Sequence, residues 1–103
     1  MNMDCDYFKC HIKDELKGAK AYAKAALELK AVNPSWAKMF LDMCAQELIH
    51  AKNFYDMFNE YYDKVTKPYS EIPKYFKECK SEIIELYTDC YSKIKVMHEM
   101  ANK

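Results

Sequence analysis

The stretch WAKMFLDMCAQELIHAKNFYDMF, residues 36–58, decides the fold. Trp36, Met39, Phe40, Met43, Phe54 and Phe58 recur at steps of three and four, and the pattern runs on to Tyr61 and Val65, so one face of a long helix is apolar. Glu47 and His50 fall inside that stripe. Their presence needs a cause, because a carboxylate removed from water without a partner is costly.

Outward from this helix, the punctuation sets its neighbours. On the N-terminal side, AVNPSW (residues 31–36) offers Asn33 as an N-cap and Pro34 at the first helical position, where the missing N–H costs nothing. On the C-terminal side, VTKPYSEIP (residues 65–73) carries Pro68 and Pro73 with Ser70 as a candidate cap, so the chain stops and restarts. The expectation is three helices at about 4–31, 34–65 and 71–101, each roughly 40–48 Å long at 1.5 Å per residue. Short connections between long helices imply antiparallel neighbours.

Composition agrees with an all-α fold in a single domain spanning residues 1–103. One glycine and three prolines in 103 residues leave little turn chemistry, and no segment alternates for the length of a strand. Sixteen basic residues balance sixteen acidic ones, and every basic residue is lysine. Without arginine there is no bidentate fork for phosphate or guanine, which argues against nucleic-acid binding. No apolar run approaches the ~20 residues that span a bilayer, and MNMDCDYFKC at the start has no signal-like core, so a soluble, cytoplasmic protein is expected. The five cysteines, Cys5, Cys10, Cys44, Cys79 and Cys90, are odd in number and scattered, which favours free thiols over a disulfide framework. No CxxC occurs, and that excludes zinc-ribbon and rubredoxin-like thiolate sites.

The other helices carry matching stripes. On the first, Phe8, Ile12, Ala19, Tyr22, Ala23, Ala26 and Leu29 share a face, and Glu15 lands near its centre with His11 one turn earlier. On the third, the stripe is Phe76, Cys79, Ile83, Leu86, Cys90, Ile94, Met97 and Ala101, with Glu82 at one border, His98 at the other and Glu85 outside. Glu15, Glu47 and His50 therefore point inward from adjacent helices and call for a compensating cation. Glu-x-x-His suits a metal because residues three apart on a helix share a face, and carboxylate with imidazole is a ligand set for iron, manganese or zinc. Read without a metal, Glu47 and His50 form an ordinary polar pair at the edge of the core.

The segment ELKGAKAYAKAALELKAVNPSWAKMFLDMCAQELIHAKNF, residues 15–54, resembles the first helical hairpin of the rubrerythrin branch of the ferritin-like superfamily. Glu15, Tyr22, Glu47, His50, Ala51, Lys52 and Phe54 match that pattern in order and spacing. The resemblance implies Glu15 and Glu47 as carboxylate ligands, His50 as a nitrogen ligand and Tyr22 as a hydrogen-bond donor to a ligand carboxylate. SEIIELY (residues 81–87) more faintly resembles the third helix of the family, with Glu82 or Glu85 standing for a ligand glutamate.

The departures shape the expectation as much as the matches. A single-chain site of this type draws on four helices with a second Glu-x-x-His on the last, whereas here KVMH places Lys95 at the glutamate position, so His98 reads as a helix-end residue and His11 as a partly exposed histidine. One chain offers half a site. A homodimer, or a higher homo-oligomer, is expected to complete a four-helix bundle around two irons per shared site, with manganese or zinc as substitutes. The implied activity is ferroxidase chemistry, the oxidation of Fe(II) by dioxygen or peroxide, in iron handling or protection from oxidants. Without a rubredoxin-like thiolate site the chain lacks that family's built-in electron relay, and some truncated relatives of this kind are packaged in a larger shell. The rival expectation is a metal-free helical interaction module whose metal site has degenerated.

Overall fold

Asp4 starts the first helix by accepting a 3.0 Å hydrogen bond from the Tyr7 amide, and Asn33 starts the second by accepting one of 3.1 Å from the Trp36 amide. The resulting elements are α1 (Cys5–Leu29), α2 (Pro34–Thr66) and α3 (Lys74–Ala101). Residues 4–103 are described by a computed structural model; residues 1–3, part of the N-terminal run read above as lacking a signal core, lie outside it. The third helix begins at Lys74 and not near Ser70, because Pro73 in extended conformation occupies the N-cap. No strand occurs among the described residues.

The path is up, down, up, which makes α1 and α3 parallel. Cys5 bonds to Cys79 and the Lys9 ammonium meets Glu82 at 2.6 Å near the N-terminal ends of those two helices, while Lys30 Nζ donates to the Met100 carbonyl at 3.1 Å near their C-terminal ends. Contact is most extensive between α1 and α2, intermediate between α1 and α3, and least between α2 and α3, so α1 is the central helix. The Cα envelope, 57 × 25 × 15 Å, is flattened accordingly.

The disulfide between Cys5 and Cys79 corrects the expectation of free thiols throughout; Cys10, Cys44 and Cys90 do remain free. The two cysteines are 74 residues apart in sequence, yet the parallel arrangement of α1 and α3 brings their Cα atoms to 6.3 Å. Scattered spacing concealed a tertiary neighbour.

The core is built on Phe8, Ile12, Leu16 and Ala19 of α1, Cys44, Leu48, Ala51, Phe58 and Tyr62 of α2, and Cys79, Ile83 and Ile94 of α3. Phe58, Ile12 and Ile83 are fully buried, and each such side chain contributes about 1.5–3 kcal/mol by leaving water. A smaller cluster of Ala26, Leu41 and Ala101 closes the other end, where His98 Nε2 lies 3.1 Å from the Leu41 carbonyl and ties α3 to α2. The stripes expected on α1 and α3 agree with this packing.

The stripe expected on α2 agrees only in part: Phe54, Phe58 and Tyr61 pack in or against the core and Phe40 against the smaller cluster, but the Trp and Met side chains of its first half do not. Phe58 is buried, but Trp36 is 58 % exposed, Met39 61 % and Met43 39 %. The helix turns a second line inward: Ala37, Leu41, Cys44, Leu48, Ala51, Phe58, Tyr62 and Thr66. Small Ala and Cys side chains let α2 approach α1 closely, and the bulky Trp and Met line is left uncovered beside Glu47 and His50. Among the described residues no helix is long and apolar enough to cross a membrane.

Candidate metal centre

Glu15 comes from the middle of α1; Glu47 and His50 lie three residues apart on the facing stretch of α2. All three project to the edge of the α1–α2 seam, where the two carboxyl groups are half-buried and the imidazole is 52 % exposed. His50 Nδ1 is 3.5 Å from Glu15 Oε2 and 4.0 Å from Glu47 Oε1. One ligand atom from each residue lies within 4.8 Å of the others, and this is the group of potential metal ligands found among the described residues.

The electrostatics are those of crowded anions. The Glu47 carboxyl is pushed from its ordinary 4.5 up to about 7, chiefly by donating a hydrogen bond to Glu15, then by burial and by the Glu15 charge, with His50 pulling the other way. Near neutrality Glu47 therefore still holds a proton part of the time, where a cation would relieve the same repulsion. The donor set fits iron: two carboxylates and one imidazole converge on a common point, with solvent on the open side. One turn back on α2, Cys44 is fully buried, and burial together with the Glu47 charge pushes its thiol up to about 11. It stays a neutral thiol of the core and not a ligand.

The remaining sequence candidates lie elsewhere. Glu82 is exposed on α3 and holds Lys9 at 2.6 Å, so it is not brought to Glu15, Glu47 and His50. His98 is engaged with the Leu41 carbonyl at the far end, as a helix-end residue. His11 sits one turn before Glu15 with its ring stacked on Phe54 at 4.8 Å and tilted against Tyr7 at 4.4 Å, which makes it an aromatic neighbour of the centre and not a member. Tyr22 is half-buried with its ring 6.0 Å from that of Phe40, and no hydrogen bond from it to a site carboxylate occurs among the described residues. The sole glycine, Gly18, lies against the Glu47 carboxylate; its interruption of a helix is legible in the sequence, but the side chain it faces is not.

A cavity of about 420 Å³ is a separate groove between α1 and α3 floored by Leu16, Leu86, Ile94 and Met97 and rimmed by lysines. It contributes no carboxylate or imidazole. A second hollow, of about 300 Å³, is lined by Trp36, Met39, Phe40 and Met43, the last of them four residues before Glu47 on the same helix. The uncovered apolar line and the cluster of ligands thus belong to one face.

Searches among curated proteins and among solved structures returned no match. The sequence model of the Rubrerythrin family matches residues 7–103, a span that takes in Glu15, Glu47 and His50 and nearly all of the three helices, and the chain belongs to the rubrerythrin family.

Proposed function

We propose that the protein is a ferritin-like di-iron carboxylate protein in which Glu15, Glu47 and His50 of two chains hold iron at a shared site and oxidise Fe(II) with dioxygen or peroxide. The observation that carries this reading is the convergence of two carboxylates and an imidazole within 4.8 Å on the same open face as exposed Trp36, Met39 and Met43. Half a ligand set beside an uncovered apolar strip is what one partner in an isologous pair would present.

The residues divide the work. Glu15 and Glu47 supply the negative charge that draws a cation and the oxygens that would bind it; His50 supplies the nitrogen. The proton that Glu47 holds near pH 7 would be released as a cation binds, so binding and proton loss are linked. Trp36, Met39, Phe40 and Met43 would lie against the partner and restrict water beside the site. Iron, once bound, supplies the one-electron redox chemistry.

The exposed Trp and Met strip also favours a second reading, a metal-free interaction module. Metal analysis of protein purified without chelator, followed by an Fe(II) oxidation assay, separates the two. The proposal expects bound iron and turnover in wild type and neither in Glu47→Ala or His50→Ala; unchanged metal content in both variants removes it.

A further inference from the structure

Gly18 is the one glycine of the chain and stands inside α1, where glycine is the worst residue for a helix short of proline. No turn or left-handed backbone requires it: among the described residues no glycine has a positive φ. What it faces is the Glu47 side chain. A Cβ built at residue 18 would lie 3.4 Å from Glu47 Oε2, 3.7 Å from its Cδ and 3.8 Å from its Cγ. These are contact distances, so a methyl group fits but closes that side of the carboxylate.

We propose that Gly18 is a positioning residue for the metal centre, acting through Glu47. It lies three residues after Glu15 and so shares the face of α1 that meets Glu47. The missing side chain leaves no Cβ against Oε2 on that side, so the carboxylate can turn toward a cation held with Glu15 and His50. A methyl group would crowd Oε2 and restrict that turn, which weakens the carboxylate as a ligand. The penalty of glycine in the helix is thus the cost of a usable Glu47. This inference rests on the metal reading of Glu47, but its spatial part does not need a metal.

The test is a double-mutant cycle of Gly18→Ala and Glu47→Ala, read by chemical denaturation of the apo proteins, with anaerobic Fe(II) titration of wild type and Gly18→Ala. With Glu47 removed, Gly18→Ala should raise the folding equilibrium constant about fivefold, the ordinary helix gain; with Glu47 present the gain should shrink by half or more. Fe(II) affinity should fall at least tenfold in Gly18→Ala although the apo helix is no less stable, an opposition that a merely structural glycine would not produce. An equal stability gain in both backgrounds overturns the inference, and so does an unchanged Fe(II) affinity in a protein that binds iron. If wild type binds no Fe(II), the functional proposal fails, and the apo cycle still decides whether Gly18 makes room for Glu47.

Discussion

Glu47 faces Glu15 across the α1–α2 seam, and the hydrogen bond that a protonated Glu47 can give Glu15, with burial and the Glu15 charge, raises the Glu47 carboxyl to about 7. A chain that needed only a stable hairpin would place an apolar pair there. Two crowded acids beside an imidazole cost stability in the metal-free chain.

The pH dependence of the apo protein has a definite sign. Between the ordinary 4.5 and the folded value of about 7, the folded chain holds a proton on Glu47 that the unfolded chain has released. The native state binds more protons, so stability falls as pH rises through that window and the loss is complete above it. The melting temperature of apo wild type should decline from about pH 5 to about pH 7.5, and Glu47→Gln should remove that component. An identical slope in the variant would assign the effect to other groups.

Removing one acid should relieve the other. Apo Glu15→Ala and apo Glu47→Ala are expected to melt at or above apo wild type, because the flanking core of Ile12, Leu16, Leu48 and Ala51 is untouched and a like-charge contact is gone. Thermal denaturation in chelator checks this. A clear fall in both variants would favour an ordinary structural pair.

Reduction should loosen the bundle. The Cys5–Cys79 bond closes a loop 74 residues apart in sequence, and the chain-entropy estimate for a loop of that size is about 4 kcal/mol. The other link near that end, Lys9 with Glu82, is exposed and worth little. Urea unfolding with and without reductant should differ by a few kcal/mol, and Cys79→Ser should be insensitive to reductant.

How much of this was legible in the sequence varies by element. Asn33–Pro34 placed the start of α2 because capping is local chemistry, and the stripes of α1 and α3 identified their buried faces because each helix has one apolar line. On α2 there are two, and periodicity ranks the bulky Trp36–Met39–Met43 line above the small Ala37–Cys44–Ala51 line that packing selects. Glu47 and His50 share a face because they stand three residues apart on α2, whereas their meeting with Glu15 depends on how α1 seats against α2. The Cys5–Cys79 bond, the pairing of Glu82 with Lys9 and the contact of Gly18 with Glu47 are relations between helices, set by how α1 seats against its neighbours, and no local pattern encodes them.

The uncovered strip gives a separate handle on assembly. Trp36→Glu and Met43→Glu should leave helicity and monomer melting within about 0.5 kcal/mol of wild type, since both side chains are exposed in the single chain. Self-association measured by sedimentation should weaken at least tenfold. Unaltered association in both would move the dimer interface elsewhere.

The central claim, a metal site completed by two copies, is tested most directly by light scattering with and without Fe(II), combined with metal counting on the same samples. Ligands from both chains meeting at the same ions link binding to dimerisation, so Fe(II) should tighten a dimer carrying about two ions per pair of chains and chelator should loosen it. A strict monomer holding a full two-metal site would contradict the account, and so would a dimer indifferent to metal.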